Sequence, residues 1–251
     1  CLIVILFSIC EVHAQQLPLR RYDVADGLAT NRVHCIYQDK KGYIWIGTGE
    51  GLSRFDSYRF TNYDQRDGLV NPVINWITED QQGNLWVGTN GIGVFELIGS
   101  DAPGQGHWKR LPINLAADQL ILSLLVDSAG VLWIGSDDGL IKYSNAEQTL
   151  YTTANGLADR YAMPIIEDRE GNLWIGTWRA GVCKLPGNAI INITTAQGLP
   201  DPLVLKILES QQGRIYASTG TNGAKATTSM ATALDLGLLN LHPIPLRCYP
   251  Y

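Results

Sequence analysis

The feature that most restricts how this chain can fold is a motif repeated in constant phase. An Asp, a Gly three residues on and an aromatic three residues further recur as Asp39/Gly42/Trp45, Asp80/Gly83/Trp86, Asp127/Gly130/Trp133 and Asp168/Gly171/Trp174. Ser210/Gly213/Tyr216 is a weaker fifth copy. The aromatic positions lie 41, 47, 41 and 42 residues apart. A second motif keeps step with the first. Gly27-Leu28, Gly68-Leu69, Gly156-Leu157 and Gly198-Leu199 each place a Gly 18 residues before the aromatic. In the third unit that position holds Leu115, so the Gly is lost there. The extra residues of the longest unit fall around Gly99 to Trp108 and read as a loop insertion.

Each unit parses into four short strands. The first carries apolar pairs at matching positions: Val33/Ile36, Ile74/Ile77, Ile121/Leu124, Ala162/Ile165 and Val204/Ile207. A tight turn follows, opened by Asp, whose side chain bonds nearby backbone N–H groups, with Gly as the left-handed residue. The second strand holds the aromatic and then Gly47 or its equivalent, where backbones approach closely. A third strand begins near Gly51, Gly93, Gly139 and Gly181, and a fourth lies near Phe60–Tyr63 and Leu150–Thr152. Four strands in about 42 residues is the pattern of a β-propeller blade. The expected fold is all-β: about four to five four-stranded blades within residues 15–220, centred on Trp45, Trp86, Trp133, Trp174 and Tyr216. A seven-bladed ring would need roughly 290 residues, so the ring is incomplete.

The Trp column reads as core between adjacent blades, because each indole buries about 150–250 Å². The Asp column reads as turn chemistry: one carboxylate per blade does not supply the converging oxygens of a calcium site. Cys35, Cys183 and Cys248 show no metal or redox spacing and read as small buried hydrophobes. No metal and no cofactor is expected. A net charge of −5 gives no excess of cations to neutralise phosphates, so nucleic acid is not an expected partner.

The apolar run Leu2–Ile9 is too short to span a bilayer as a helix, which needs about 20 residues. Followed by Val12-His13-Ala14, it reads as the end of a truncated secretory signal peptide over residues 1–14, which predicts a periplasmic or other extracytoplasmic location. Residues 221–251 lack strand alternation and carry Pro243, Pro245 and Pro250; they read as a frameshifted or disordered tail.

The series Gly27-Leu28, Asn31, Val33, Ile36, Asp39, Gly42, Trp45–Thr48 and Gly51-Leu52, shown again most fully over Glu79–Thr89, resembles the two-component regulator propeller repeat. The resemblance runs from about Tyr22 to Gly220. It implies the periplasmic sensor region of a bacterial hybrid two-component histidine kinase, responding to an oligosaccharide. It further implies a homodimer through the intact parent, and membrane attachment only through sequence downstream of this chain. No kinase signature is present in these residues, so the segment itself is not expected to be an enzyme.

Two other classes fit a propeller. A sialidase-type glycosidase or a streptogramin-lyase-like enzyme would need paired carboxylates or a comparable constellation. Glu50, Arg54, Asp137, Asp138 and Arg179 are non-repeating charges in loops after the second strand, which should open on one face; they read as solvated charges, and no catalytic residue is assigned. An interaction propeller of the WD type lacks its signatures here. For a ligand, the loops that break the repeat come first: Trp178 and Arg179, which replace small residues and could stack on and hydrogen-bond a sugar, and Trp108, with His107, in the insertion.

Overall fold

The computed structural model describes residues 20–70, 73–99, 106–116, 118–187 and 189–220, and the backbone of 232–235. Residues 1–14, read from the sequence as a signal peptide, and most of the 221–251 tail, including Cys248 and the three prolines, lie outside the described residues. Helical structure among the described residues is confined to four three-residue 3₁₀ turns.

Blade one is an antiparallel meander of β1 (Val33–Gln38), β2 (Ile44–Thr48), β3 (Gly51–Phe55) and β4 (Phe60–Tyr63). Blade two comprises β5 (Ile74–Glu79), β6 (Leu85–Thr89), β7 (Val94–Gly99) and β8 (Gly106–Arg110). Blade three comprises β9 (Ile121–Val126), β10 (Leu132–Ser136), β11 (Gly139–Ser144) and β12 (Glu147–Tyr151). Blade four comprises β13 (Ala162–Glu167), β14 (Leu173–Thr177), β15 (Val182–Leu185) and β16 (Ile191–Ile193). In blade five, β17 (Leu203–Glu209) and β18 (Ile215–Gly220) are joined by β19 (Thr232–Asp235), which pairs with β18 through Thr219 opposite Thr232. First strands of successive blades lie side by side in chain order, β1 against β5, β5 against β9, β9 against β13 and β13 against β17. The described residues therefore form an all-β propeller of four four-stranded blades and a fifth, three-stranded one.

One residue type at each repeat position makes this packing possible. Trp45 is fully buried, and Trp133 and Trp174 nearly so. Each sits in a cluster formed with the following blade: Trp45 with Ile74 and Ile77, Trp133 with Ala162 and Ile165, Trp174 with Val204 and Ile207. Two residues on, a Gly admits the next blade's first strand. A Cβ on Gly47 would lie 2.5 Å from Cys35 Sγ and 2.8 Å from Ile74 Cγ2.

The Asp turn is built as the sequence predicts. Asp39 Oδ1 accepts from the N–H groups of Lys41 (3.0 Å) and Tyr43 (2.9 Å). Asp80, Asp127 and Asp168 repeat the pattern. The second carboxylate oxygen has a role the sequence does not disclose. It accepts the indole N–H of the blade's own Trp, at 2.7 Å in Asp39–Trp45, 2.8 Å in Asp127–Trp133 and 2.7 Å in Asp168–Trp174. In blade two Asn84 Nδ2 donates to Asp80 Oδ2 at 2.7 Å, and the Trp86 indole nitrogen is buried without a partner.

The same turns link neighbouring blades along one rim. The residue after each Asp reaches the next blade: Lys40 Nζ donates to Asp80 O at 2.8 Å, Gln81 Nε2 to Ser128 O at 2.9 Å, Ser128 N to Glu167 Oε2 at 2.7 Å and Arg169 Nη1 to Gln211 O at 2.6 Å.

Two sequence expectations are corrected here. Trp108 is not in a surface loop. It lies on β8, the fourth strand of blade two, and is 3% exposed, edge-on to Trp45 (6.3 Å) and Tyr63 (6.3 Å). A strand whose sequence matches no other fourth strand looks like an insertion. Arg54 is not a loop charge either. It lies on β3 opposite Trp45, is buried, and its guanidinium stands 5.8 Å from that ring and 4.5 Å from the Tyr43 ring. Lys142 over Trp133 and Lys184 over Trp174 hold the same cross-strand place, where blade two has Glu96.

Candidate functional site

The rim opposite the Asp turns is formed by the turns between second and third strands and by the connections that lead into each blade. At the first turn position the blades carry Gly49, Asn90, Asp137 and Trp178. Blade four alone among these puts an aromatic there, and its turn is held firmly. Thr177 Oγ1 donates to Gly181 O (2.8 Å) and accepts from Ala180 N (3.1 Å). Asp159, buried in the incoming connection, accepts the Arg179 N–H at 2.8 Å. With the backbone fixed, Trp178 remains 41% exposed. Large exposed apolar rings on a braced turn are the usual form of a recognition element.

Trp178 does not stand alone. The Tyr161 ring lies 6.4 Å away, tilted by 46°. Arg160 covers Tyr161 at 5.1 Å, and its Nε donates to the Asp137 carbonyl of blade three at 2.7 Å. The result is a shelf of Trp178, Tyr161 and Arg160 that bridges blades three and four, with Arg179 exposed beside it. Such a surface can stack a ring-shaped ligand and supply guanidinium donors at its edge.

Of the residues singled out from sequence, Trp178 and Arg179 are exposed neighbours on this shelf, Trp108 belongs to the core between blades one and two, and His107 is exposed on β8. Glu50, Asp137 and Asp138 do sit in turns on the same rim as Trp178. Tyr161 and Arg160 were not anticipated. Nothing at their positions in the repeat motif marks them, and their role appears only when blades three and four are placed together.

The remaining chemistry is structural. Cys35 and Cys183 are free thiols; burial pushes Cys35 up to about 12 and Cys183 up to about 11, which keeps both protonated and unreactive at neutral pH. Among the described residues no group of three His, Cys, Asp or Glu side chains is placed to hold a metal ion. No helix among them is long and apolar enough to cross a membrane.

Residues 27–50, 68–91, 116–138 and 156–179 each match the two component regulator propeller family. The chain belongs to that family. The four matches cover the first strand, Asp turn and Trp strand of blades one to four, with the Gly-Leu connection in all but the third. A curated relative, histidine kinase P4 of Formosa agariphila, is 32% identical over 77 residues, which is 27% of this chain and 6% of that protein. Among solved structures, the extracellular domain of the hybrid two-component system BT4673 from B. thetaiotaomicron superposes with a TM-score of 0.63 at 22% identity, covering 75% of this chain and 26% of that one. A streptogramin B lyase superposes with a TM-score of 0.60 at 18% identity, covering 79% of this chain and 65% of the lyase. At such identities the solved structures establish the propeller fold alone. This chain spans only a small part of the kinase and about a quarter of the BT4673 domain.

Proposed function

We propose that this propeller segment is the extracytoplasmic, non-enzymatic sensing part of a longer two-component regulator, and that its ligand is an oligosaccharide held on the Trp178 shelf. Family membership supports the signalling role, and the names of the similar proteins support a location outside the cytoplasm and an output kinase elsewhere in the protein. Membrane attachment and dimerisation likewise belong to other segments of that protein.

The observation that carries the ligand assignment is the exposed Trp178 on a turn braced by Thr177 and Asp159, at a position where the first three blades have Gly49, Asn90 and Asp137. An indole exposed there costs apolar hydration and contributes no core packing, and the C–H face of a sugar ring is its natural complement. Arg179 and Arg160 then offer donors for hydroxyl and ring oxygens.

The test is calorimetric titration with neutral tetrasaccharides cut from galactan, arabinan and mannan. At least one binds, Trp178→Ala weakens it about tenfold or more, and Trp178→Phe retains most of the affinity. Absence of binding across the panel, or equal affinity for Trp178→Ala at unchanged stability, removes the shelf as the ligand site.

A further inference from the structure

The third unit departs from the repeat, and the departure opens a cleft. In blades one and four the connection entering the blade lies directly on its two outer strands. Asn62 Nδ2 donates to Gly27 O at 2.9 Å, and Ser53 Oγ accepts from Ala29 N at 3.1 Å. Asn192 Nδ2 likewise donates to Gly156 O at 3.0 Å, and Cys183 Sγ accepts from Ala158 N at 3.4 Å. Ser53 pairs across the sheet with Asn62, and Cys183 with Asn192. The Gly supplies the left-handed backbone that this seating needs, with φ 106° at Gly27 and 110° at Gly156.

Blade three has none of these parts. The pair at that register is Ile141 with Leu150, which offers no hydrogen bond. The capped 3₁₀ turn and its Gly, present before blades one, two, four and five, are absent before blade three. The connection is held by two Gln side chains instead. Gln148 Oε1 accepts from Asn114 N at 2.7 Å, and Gln148 Nε2 donates to Asn114 O at 3.1 Å. Gln119, buried, accepts from Ala116 N at 2.9 Å and donates to Ser136 Oγ at 2.8 Å. Between this connection and the sheet lies an open cleft of about 300 Å³, lined by the half-exposed Leu150 and by Asn114 and Asp138, both exposed, with Ile141 buried beneath it.

Each Gln side chain uses both its oxygen and its nitrogen to brace the walls. The carboxylate of Asp138 and the carboxamide of Asn114 have no hydrogen-bond partner among the described residues. The site therefore combines a braced connection, the half-exposed Leu150 and two polar side chains free to bind a ligand, the elements of a small polar binding cleft. We infer that this cleft binds a neutral, polyhydroxylated ring about the size of one sugar residue, with Asp138 accepting from hydroxyl groups, Asn114 donating and accepting beside it, and the C–H face on Leu150. No Lys or Arg lines the cleft among the described residues, so an anionic ligand would face the Asp138 carboxylate uncompensated. The cleft shares no lining residue with the Trp178 shelf.

The experiment is a ¹H–¹⁵N NMR titration of this chain with methyl β-D-glucopyranoside, methyl β-D-galactopyranoside and myo-inositol. At least one probe is expected to shift the side-chain amides of Asn114 and Gln148. Asp138→Asn should weaken that probe about tenfold or more. Leu150→Trp, at a half-exposed position, should fill the cleft and abolish the shifts, and glucuronate should bind more weakly than the neutral probe. Trp178→Ala should leave the titration unchanged, so failure of the shelf and failure of the cleft give different results. The inference is overturned if none of the three probes shifts these amides, if Asp138→Asn and Leu150→Trp bind as the parent does, or if glucuronate binds as tightly.

Discussion

Trp45→Phe and Trp86→Phe should differ by far more than their shared chemistry suggests. Both replacements remove the same ring volume from the second strand of a blade. At position 45 the lost indole N–H donates at 2.7 Å to Asp39, a carboxylate that is itself 6% exposed. A hydrogen bond to a charged group contributes about 1.5–3 kcal/mol, and the orphaned acceptor adds to the loss. At position 86 the indole nitrogen is buried without a partner, and Asp80 Oδ2 accepts from Asn84 instead. Removing an unsatisfied donor relieves a desolvation cost of about 1–3 kcal/mol and so offsets part of the packing loss. Trp45→Phe should therefore be the more destabilising by about 2 kcal/mol or more. With a urea slope of about 1–3 kcal/mol per molar, the midpoints should separate by about 1 M. Because Trp45 is also more buried than Trp86, a double-mutant cycle isolates the bond. Asp39→Asn with Trp45→Phe should show coupling of about 1.5–3 kcal/mol, and Asp80→Asn with Trp86→Phe should show almost none. Equal coupling in the two cycles would refute the reasoning.

Position in the arc should matter as much as residue type. Ile36 and Ile77 occupy the same place in successive blades, yet Ile36 is 67% exposed and Ile77 5%, because blade one has no described blade packed on that side. Ile77→Ala should cost about 2–5 kcal/mol and Ile36→Ala a small fraction of that in chemical denaturation; equal costs would mean that the first face is covered. Gly135→Ala should destabilise by about 1–3 kcal/mol, since the new methyl group would lie against Ser123 Oγ and 2.5 Å from Ala162 O, and a variant of parental stability would show that blades three and four can move apart. Burial alone would raise the Asp168 carboxyl, but hydrogen bonds from Trp174, Asn172 and Glu170 outweigh it and hold the group below the ordinary carboxylate range. Its stabilisation is thus complete above the unfolded value of about 3.9 and is lost as pH falls through the lower folded value; stability measured from pH 6 downward should drop less steeply for Asp168→Asn than for the parent.

Much of this structure was legible in the sequence because the physics repeats. A turn carboxylate, a core Trp and a Gly at a close approach each recur with one spacing, and four good copies fix the blade, its strands and the buried faces. The features that escaped either lack a copy or depend on strand register and side-chain geometry. Trp108 looked like part of an insertion because β8 resembles no other fourth strand, although burial against Trp45 and Tyr63 is its whole role. Arg54 looked like a solvated charge because its opposition to Trp45 depends on strand register, which a linear reading of the loop does not give. The shelf was half visible: Trp178 stood out against small residues, whereas Tyr161 and Arg160 join it only across the junction of two blades. The loss of Gly in the third unit was plain, but its consequence required knowing that Ile141 and Leu150 stand where blade one has Ser53 and Asn62.

The most direct test of the sensing role is amide hydrogen exchange across the chain with and without the oligosaccharide that binds most tightly in the calorimetric panel. Protection is predicted to gather on the connection and turn that carry Tyr161 and Trp178, with the Asp turns of the opposite rim unchanged. Protection centred on those Asp turns, or exchange unaltered along the whole chain, would contradict a ligand-sensing role for the shelf.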